Sequence, residues 1–166
     1  MPRPLLLFLT FAMVLASCDS GDPGSMPMEA YEGPEGEAVV RHLIKTLPPL
    51  SPEIPKVYSI VKGPHLKSTS MNFAGRFDDL KLTFVSAENL VVGEPHKRIV
   101  DPRSDTSPVI LQISEIKSAG RDVWTVVAGW AWKKTFERRR YTLTKTPAGY
   151  EVKDVERIEG NYVKPE

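Results

Sequence analysis

The chain has 166 residues, of which 41% are hydrophobic and 26% are charged, and its 22 basic residues nearly balance its 21 acidic ones. A near-neutral balance argues against nucleic acid as the main partner, because phosphate binding needs a net basic surface. The single cysteine excludes a fold held by intramolecular disulfides. The length suits one domain with a hydrophobic core.

The first seventeen residues have the features of a secretory signal. Arg3 gives a positively charged start, and residues 5–15 are apolar apart from Thr10. A membrane-spanning helix needs about 17–25 apolar residues, so this run is too short to cross a bilayer and has the length of a signal-peptide core. We therefore predict that residues 1–17 are a signal peptide.

The signal is followed directly by the tetrapeptide Leu15-Ala16-Ser17-Cys18. It resembles the lipobox of bacterial lipoproteins, in which an aliphatic residue and two small residues precede a cysteine. The resemblance implies cleavage before Cys18, diacylglyceryl transfer to its thiol and, usually, acylation of the new amino terminus with a chain such as palmitate. Two or three chains anchor stably, because each buried methylene contributes about 0.8 kcal/mol. The alternative is an ordinary secreted protein cut near Ala16, with Cys18 as a free thiol.

Residues 18–34 are predicted to be the lipidated cysteine and a flexible tether. The segment is rich in Gly, Pro, Ser and acidic residues, and no hydrophobic period runs through it. As a flexible coil it would reach about 20–25 Å, which keeps a domain just off the membrane. The expected location is the cell envelope, with the domain facing the periplasm or the exterior. Loss of Arg3 leaves the mature chain with 21 basic and 21 acidic residues.

The remaining residues, 35–166, are predicted to form a single domain that begins with a helix over 35–47. Pro34 stands before this segment, and Pro48 and Pro49 end it because proline has no amide hydrogen to donate. The apolar side chains of the segment fall on one helix face. They are Val39, Leu43, Ile44 and Leu47.

A strand and a second, shorter helix are predicted next. Residues 56–62 are rich in β-branched and aromatic residues and end at Gly63, which is typical of a strand. Residues 68–77 fit a short helix capped by Ser68 or Ser70, with Met71, Ala74 and Phe77 facing inward. Strand-like pieces at 80–85 and 89–92 precede a long loop over 93–107.

The C-terminal half is predicted to be a four-strand antiparallel meander. Its β-rich runs cover residues 108–117, 122–136, 139–145 and 150–158. The turn sequences SAGR and TPAG separate the first and last pairs, and the middle pair is expected to join around Glu137 and Arg138. The sequence thus predicts an α+β fold, with an N-terminal helix and a short second helix packed on a curved antiparallel sheet that ends in this meander.

The order of these elements is similar to that of the cone-shaped nuclear-transport-factor-like fold. The chain also resembles uncharacterised bacterial lipoproteins in which a strand of pattern VYxxxxG, here beginning at Val57 and Tyr58, precedes a short helix ending in an RF pair, here Arg76 and Phe77. The likeness in element order concerns the fold alone and carries no activity with it.

All three tryptophans lie in the strand predicted over 122–136. Side chains alternate between faces with period two, so Trp124, Trp130 and Trp132 share one face. One interpretation is that they build the core against the first helix. The other is an aromatic-lined cavity that faces an apolar or lipid-like ligand. The sequence leaves both interpretations open.

A second candidate surface is basic and follows the last tryptophan. A charge run of this kind is often only a solvated face. The functional interpretation is contact with anionic lipid headgroups or an acidic partner, at about 1 kcal/mol per well-placed basic residue. The basic residues proposed for this contact are Lys133, Lys134, Arg138, Arg139 and Arg140.

Catalytic and metal-binding patterns are poor. His42, His65 and His96 stand without HxH or HExxH spacing and are expected to be surface histidines. No GxSxG, Ser-x-x-Lys or P-loop sequence occurs. We therefore predict no metal, no cofactor and no enzymatic activity. The favoured function is a membrane-anchored binding or envelope-associated domain whose partner is an envelope protein or an apolar ligand. The alternatives are an enzyme with a small-molecule pocket in a cone-type fold, and a structural module that docks through the basic hairpin.

Overall fold

The computed structural model describes residues 28–50, 57–93 and 98–163. The signal peptide, Cys18 and the predicted tether up to residue 27 lie outside these residues. Within them the chain forms one seven-stranded sheet, a separate two-stranded sheet and short helices, which confirms the α+β prediction. No helix of the described residues is long and apolar enough to span a membrane.

Helix α1 covers Pro34–Thr46, one residue earlier at each end than predicted. It begins with Pro34. Proline lacks an amide hydrogen, but an amide at the first helical position has no hydrogen-bond partner within the helix, so no bond is lost. The helix ends just before Pro48. Val39, Val40 and Leu43 are buried against the sheet, whereas Ile44 is only half-buried.

Helix α2 covers Met71–Ala74 and continues as a 3-10 helix over Gly75–Leu80. Ser70 caps it by accepting a hydrogen bond from the Phe73 amide at 3.1 Å. The inward orientation predicted for Met71 is wrong, since this side chain is 59% exposed. Ala74 and Phe77 are buried as predicted, and Phe73 fills the core in place of Met71, because residues two positions apart do not share a helix face.

In the seven-stranded sheet the strand order is β2-β1-β6-β7-β8-β9, and β3 also pairs with β1. Strands β4 and β5 pair with each other in the separate two-stranded sheet. Strands β6 to β9 are the predicted antiparallel meander. The sheet as a whole is mixed, because β1 runs parallel to both β3 and β6. The strand bounds are β1 Val57–Lys62, β2 Lys67–Ser68, β3 Thr83–Phe84, β4 Val91–Gly93, β5 Arg98–Val100, β6 Val109–Gly120, β7 Val123–Trp132, β8 Thr135–Thr146 and β9 Gly149–Gly160.

The turn between β7 and β8 lies at Lys133 and Lys134, and its predicted position around Glu137 and Arg138 is wrong. Trp132 pairs with Thr135, so only two residues connect the strands. Lys133 takes the left-handed conformation, with φ of 54°, that glycine or asparagine more often supplies. The turn therefore carries no ordinary turn signal, and the charged residues that follow it belong to β8.

The segment predicted as a loop over 93–107 also contains regular structure. Strand β5 lies within this segment and pairs with β4, which precedes it. An isolated bridge joins Asp101 to Thr106. Asp101 is buried and accepts a hydrogen bond from the Ser104 hydroxyl at 2.7 Å. Residues 94–97, which include His96, lie outside the described part of the chain.

The folded part of the chain includes residues that the sequence assigned to the tether. Met28–Glu32 form a 3-10 helix. The Tyr31 side chain is buried in the main core, and its hydroxyl donates to the Ser114 carbonyl at 3.4 Å. Glu32 contacts Lys62 and Ser70, which ties this segment to β1 and to the start of α2.

The main core lies between α1 and the central strands β6, β7 and β8. Strand β9 forms one edge of the large sheet. Two register shifts leave an extra residue in β9 each time, and its exposed side chains are mostly charged. Core side chains of the central strands are Leu111, Ile113, Ile116, Val126, Ala128, Trp130, Tyr141 and Leu143.

Candidate functional site

The face of the sheet that alternates with the core positions carries a row of polar side chains. The register places Gln112 of β6, Gly129 of β7 and Arg138 of β8 side by side, and Glu159 of β9 continues the row. Gly129 has no room for a side chain, because a Cβ there would lie 2.2 Å from the Glu137 carbonyl oxygen. Close contact between β7 and β8 at this point therefore requires glycine.

A groove of about 380 Å³ crosses this face of the sheet. Pro64 and Ile158 contribute apolar atoms to its lining. The groove thus combines charged, neutral polar and apolar groups. Its remaining lining residues are Gln112, Ser114, Glu115, Val127, Arg138 and Arg140.

Two residues that line the groove each have a buried side-chain atom without a hydrogen-bond partner. Ser114 is the extra residue of a register shift between Ile113 and Glu115, which turns its side chain toward the groove. Its hydroxyl oxygen is buried without a partner, and so is Nε of Arg138. A buried polar group without a partner costs about 1–3 kcal/mol. A polar group or an ordered water that reached these atoms would remove that cost.

The arginines of the groove are paired with glutamates of the edge strand. Arg138 lies 3.1 Å from a carboxylate oxygen of Glu159, and Arg140 forms an ion pair with Glu156. Glu115 is paired with Lys117 at 2.9 Å. The groove is therefore close to neutral, and its polarity lies in hydrogen-bonding capacity more than in net charge.

Arg139 does not join Arg138 and Arg140, because neighbouring residues of a strand point to opposite faces. It pairs in register with the buried Ala128 and contacts Asp154 and Glu137, each at 2.8 Å. The carboxylate of Asp154, more than that of Glu137, raises the pKa of Arg139. The five basic residues that the sequence grouped are thus divided between two faces and a turn.

His42 of α1 is half-buried against Tyr141 of β8, whereas the sequence predicts a surface histidine. Its ring meets that of Tyr141 edge to face, with centroids 5.3 Å apart. Burial lowers the pKa of His42, whereas burial raises the pKa of Tyr141 to about 12. This contact joins α1 to β8, and neither residue lines the groove.

Lys133 and Lys134 are exposed at the β7–β8 turn, away from the three arginines. The ammonium of Lys133 lies 4.2 Å from the centre of the Trp132 ring, which is a cation–π contact. The carbonyl of Lys134 accepts a hydrogen bond from the Asn161 side chain at 2.8 Å. The turn is thereby held against the chain that follows β9.

The three tryptophans share the core side of β7, and each has its own partner. Trp130 is 6% exposed and meets Tyr162 at 5.4 Å between ring centroids. Trp124 meets Tyr150 at 5.6 Å. The indole nitrogen of Trp132 donates to the Ser107 carbonyl at 3.2 Å. These contacts agree with the core interpretation, and a ligand on the tryptophan face stays a prediction.

Sequence reasoning missed Gln112 and Ser114, because a bulge in the middle of a predicted strand leaves no mark in the residue pattern. Within the described residues, no three His, Cys, Asp or Glu side chains stand close enough to hold a metal ion. His65 is exposed in the turn after β1. In comparisons with known proteins, no protein-family model matches the chain, and neither a curated protein nor a solved structure is similar to it.

Proposed function

We propose that the protein is a lipid-anchored domain of a bacterial cell envelope that binds its partner without transforming it. Support for the anchor comes from the sequence Leu15-Ala16-Ser17-Cys18 after an apolar signal. Support for binding comes from the groove, and above all from Ser114 and Arg138. Both residues line the groove, and each has a buried side-chain atom without a hydrogen-bond partner.

The groove is a better binding site than the tryptophan face. Trp130 lies within the core, the Trp124 ring packs on Tyr150, and the indole N–H of Trp132 is already bonded to the Ser107 carbonyl. A groove with guanidinium, hydroxyl and amide groups would hold a polar segment better than an apolar molecule. Of the partners that the sequence suggested, we therefore favour a polar segment of an envelope protein.

The anchor is tested by intact mass and membrane fractionation of the native protein beside a Cys18→Ala variant. We expect a mature chain that begins at Cys18, carries a diacylglyceryl-sized mass increase and stays with the membranes. The variant should remain unprocessed or leave the membrane fraction. A soluble, unmodified mature chain would contradict the anchor and leave a secreted domain with a free thiol.

The binding site is tested by placing a photo-crosslinking residue at Gln112 in cells that carry the anchored protein. We expect a discrete adduct at this position and none at Met71, which is exposed outside the groove. A Ser114→Val/Arg138→Gln variant should lose the adduct while keeping its thermal stability. Equal adducts at both positions, or an adduct unaffected by the double substitution, would exclude the groove as the binding site.

A further inference from the structure

The end of the β7–β8 hairpin combines basic and aromatic side chains. Lys133 and Lys134 form the turn, Trp132 lies directly before it, and Phe136 follows on β8 with 38% of its surface exposed. Lys133 covers part of the Trp132 ring. Tryptophan at the level of the headgroups, with lysines reaching into the polar layer, is the side-chain set that proteins use at a membrane interface.

The positive charge of this turn is not neutralised by its described surroundings. Arg138, Arg139 and Arg140 all contact carboxylates, whereas no described acidic residue forms an ion pair with Lys133 or Lys134. Two lysines that form no ion pair within the described residues attract an anionic surface more strongly than paired arginines do, because an adjacent carboxylate cancels much of the charge of a paired arginine.

The residues after β9 add apolar surface to the same end. The Asn161 side chain accepts from the Phe136 amide at 2.9 Å and donates to the Lys134 carbonyl at 2.8 Å. This pair of bonds fixes the segment beside the turn. Val163, two residues further on, is 82% exposed. The hairpin end therefore carries the exposed Phe136 near its two lysines, and the exposed Val163 follows Asn161 in the chain.

The chain outside the structure is long enough to bring this end to the bilayer that would hold Cys18. The described chain starts at Met28 and packs through Tyr31 on Ser114 of β6. On β6, Ser114 is four residues from Ile110, a distance of about 13 Å along a strand. Ile110 pairs with Ala131 of β7, which is the residue before Trp132. The ten residues before Met28 can extend to roughly 35 Å.

We infer that the β7–β8 turn docks the domain on an anionic phospholipid surface, with Lys133 and Lys134 among the headgroups and Trp132 at the interface. This inference rests on the proposed lipid anchor. The anchor confines the protein to the membrane, and the turn sets which way the domain faces. The groove lies on one face of the sheet and not at this end, so docking leaves it open to a partner.

The opposite end of the sheet provides a matched control. The β6–β7 turn there contains Arg121, whose side chain is 98% exposed and lies 3.8 Å from Asp122. Trp124, two residues after that turn, packs its ring on Tyr150. Arg121→Glu and Lys134→Glu change the net charge equally, but only Lys134→Glu changes the end that we infer to dock.

Docking is tested with the lipidated full chain reconstituted in vesicles of phosphatidylcholine alone or with one third phosphatidylglycerol, both with brominated acyl chains. Bromine quenches tryptophans that reach the interface, and a Trp132→Phe variant identifies the contribution of Trp132. We expect quenching of Trp132 in the anionic vesicles only. Lys134→Glu should lower the docked-to-undocked ratio at least about fivefold, the value of one basic contact, and Arg121→Glu should leave it unchanged.

Trp132 that stays unquenched in anionic vesicles, or equal effects of Lys134→Glu and Arg121→Glu, would overturn the inference. Equal quenching in both kinds of vesicle would also overturn it, since apolar contact alone would then explain docking. Intact mass of the same sample reports the anchor separately. A lipidated chain without quenching contradicts docking alone, whereas a chain without lipid contradicts the proposed anchor.

Discussion

At Gly36 the general preference of helices for alanine over glycine is expected to be reversed. It lies in the first turn of α1, directly against the backbone of Tyr31. A Cβ at this position would lie 1.9 Å from the Tyr31 carbonyl oxygen and 2.9 Å from its carbonyl carbon. Alanine normally stabilises a helix by about 1 kcal/mol relative to glycine. Here the backbone that it would meet belongs to the 3-10 segment packed on the core.

We expect Gly36→Ala to lower the free energy of unfolding by about 1–3 kcal/mol, the usual cost of overpacking. Urea unfolding of both proteins measures the change. Gly75→Ala is the control, because the nearest atom to its Cβ would be an Asp78 oxygen at 4.0 Å. The control should be neutral or more stable than wild type. Similar losses in both variants would show that Tyr31 moves away without cost.

His42 makes the stability of the domain depend on pH. Burial lowers its pKa, the nearby Lys45 lowers it further, and Asp154 acts in the opposite direction. Between the folded pKa and the ordinary value near 6.5, the unfolded chain binds more protons than the folded one. The His42 contribution to stability therefore falls as the pH falls below about 6.5.

We expect the wild type to lose stability relative to a His42→Gln variant when the pH falls from about 7.5 to 5. Because both proteins share the other titrating groups, the difference between their free energies of unfolding isolates His42. Urea unfolding at several pH values gives this difference. A difference that stays constant over the range would mean that the ring is protonated in the folded state as readily as in the unfolded one.

Among the elements, the 3-10 helix Met28–Glu32 is attached to its neighbours through one carboxylate, that of Glu32. Glu32 accepts hydrogen bonds from the Lys62 ammonium and from both the amide and the hydroxyl of Ser70. Burial alone would raise the pKa of Glu32, but these hydrogen bonds outweigh burial and lower it. The carboxylate thus links the start of the domain to β1 and to the cap of α2.

We expect Glu32→Gln to cost about 1–3 kcal/mol at pH 7, as for hydrogen bonds to a charged group. Since the folded pKa is depressed, this stabilisation is present above the unfolded value near 4.5 and is lost as the pH falls through the folded pKa. Unfolding of variant and wild type should therefore converge in acid. Glu88→Gln, at an exposed residue, is the control and should have little effect at any pH.

The elements that the sequence predicts well are those with local signals. Proline before and after α1 gives its bounds to within one residue, and alternation locates all four strands of the meander. The β7–β8 turn is misplaced because Lys133 takes a left-handed conformation without glycine or asparagine. The parallel pairing of β1 with β6 is also invisible, since it joins residues about fifty positions apart and depends on the crossover between them.

The candidate groove is less predictable than the fold. Arg138 and Arg140 can be named from the sequence as basic residues, but their pairing with Glu159 and Glu156 depends on the register of β8 and β9. Ser114 faces the groove only because a register shift occurs at that point of β6. Binding sites that cross several strands follow from such registers, and a single sequence does not report them.

At the scale of the whole molecule, the domain begins earlier than residue 35. We expect a chain that starts at residue 28 to unfold like the full mature chain. A chain that starts at residue 35 should lose at least about 3 kcal/mol, because it lacks the buried Tyr31 ring as well as Glu32. Thermal and urea unfolding of the two truncated chains measure the loss. Equal stability of the two truncated chains would mean that residues 28–34 belong to the tether.

The edge strand β9 has a consequence for molecules held on one membrane. Copies held by the proposed lipid anchor would share a two-dimensional layer, where collisions between neighbours are far more frequent than in dilute solution. An open sheet edge would favour their pairing into one continuous sheet. The extra residues Val155 and Ile158 interrupt the regular hydrogen-bonding pattern of that edge. Charged side chains also lie along it, at Glu151, Lys153 and Glu156. Crowding on the bilayer would thus leave neighbouring copies as separate molecules.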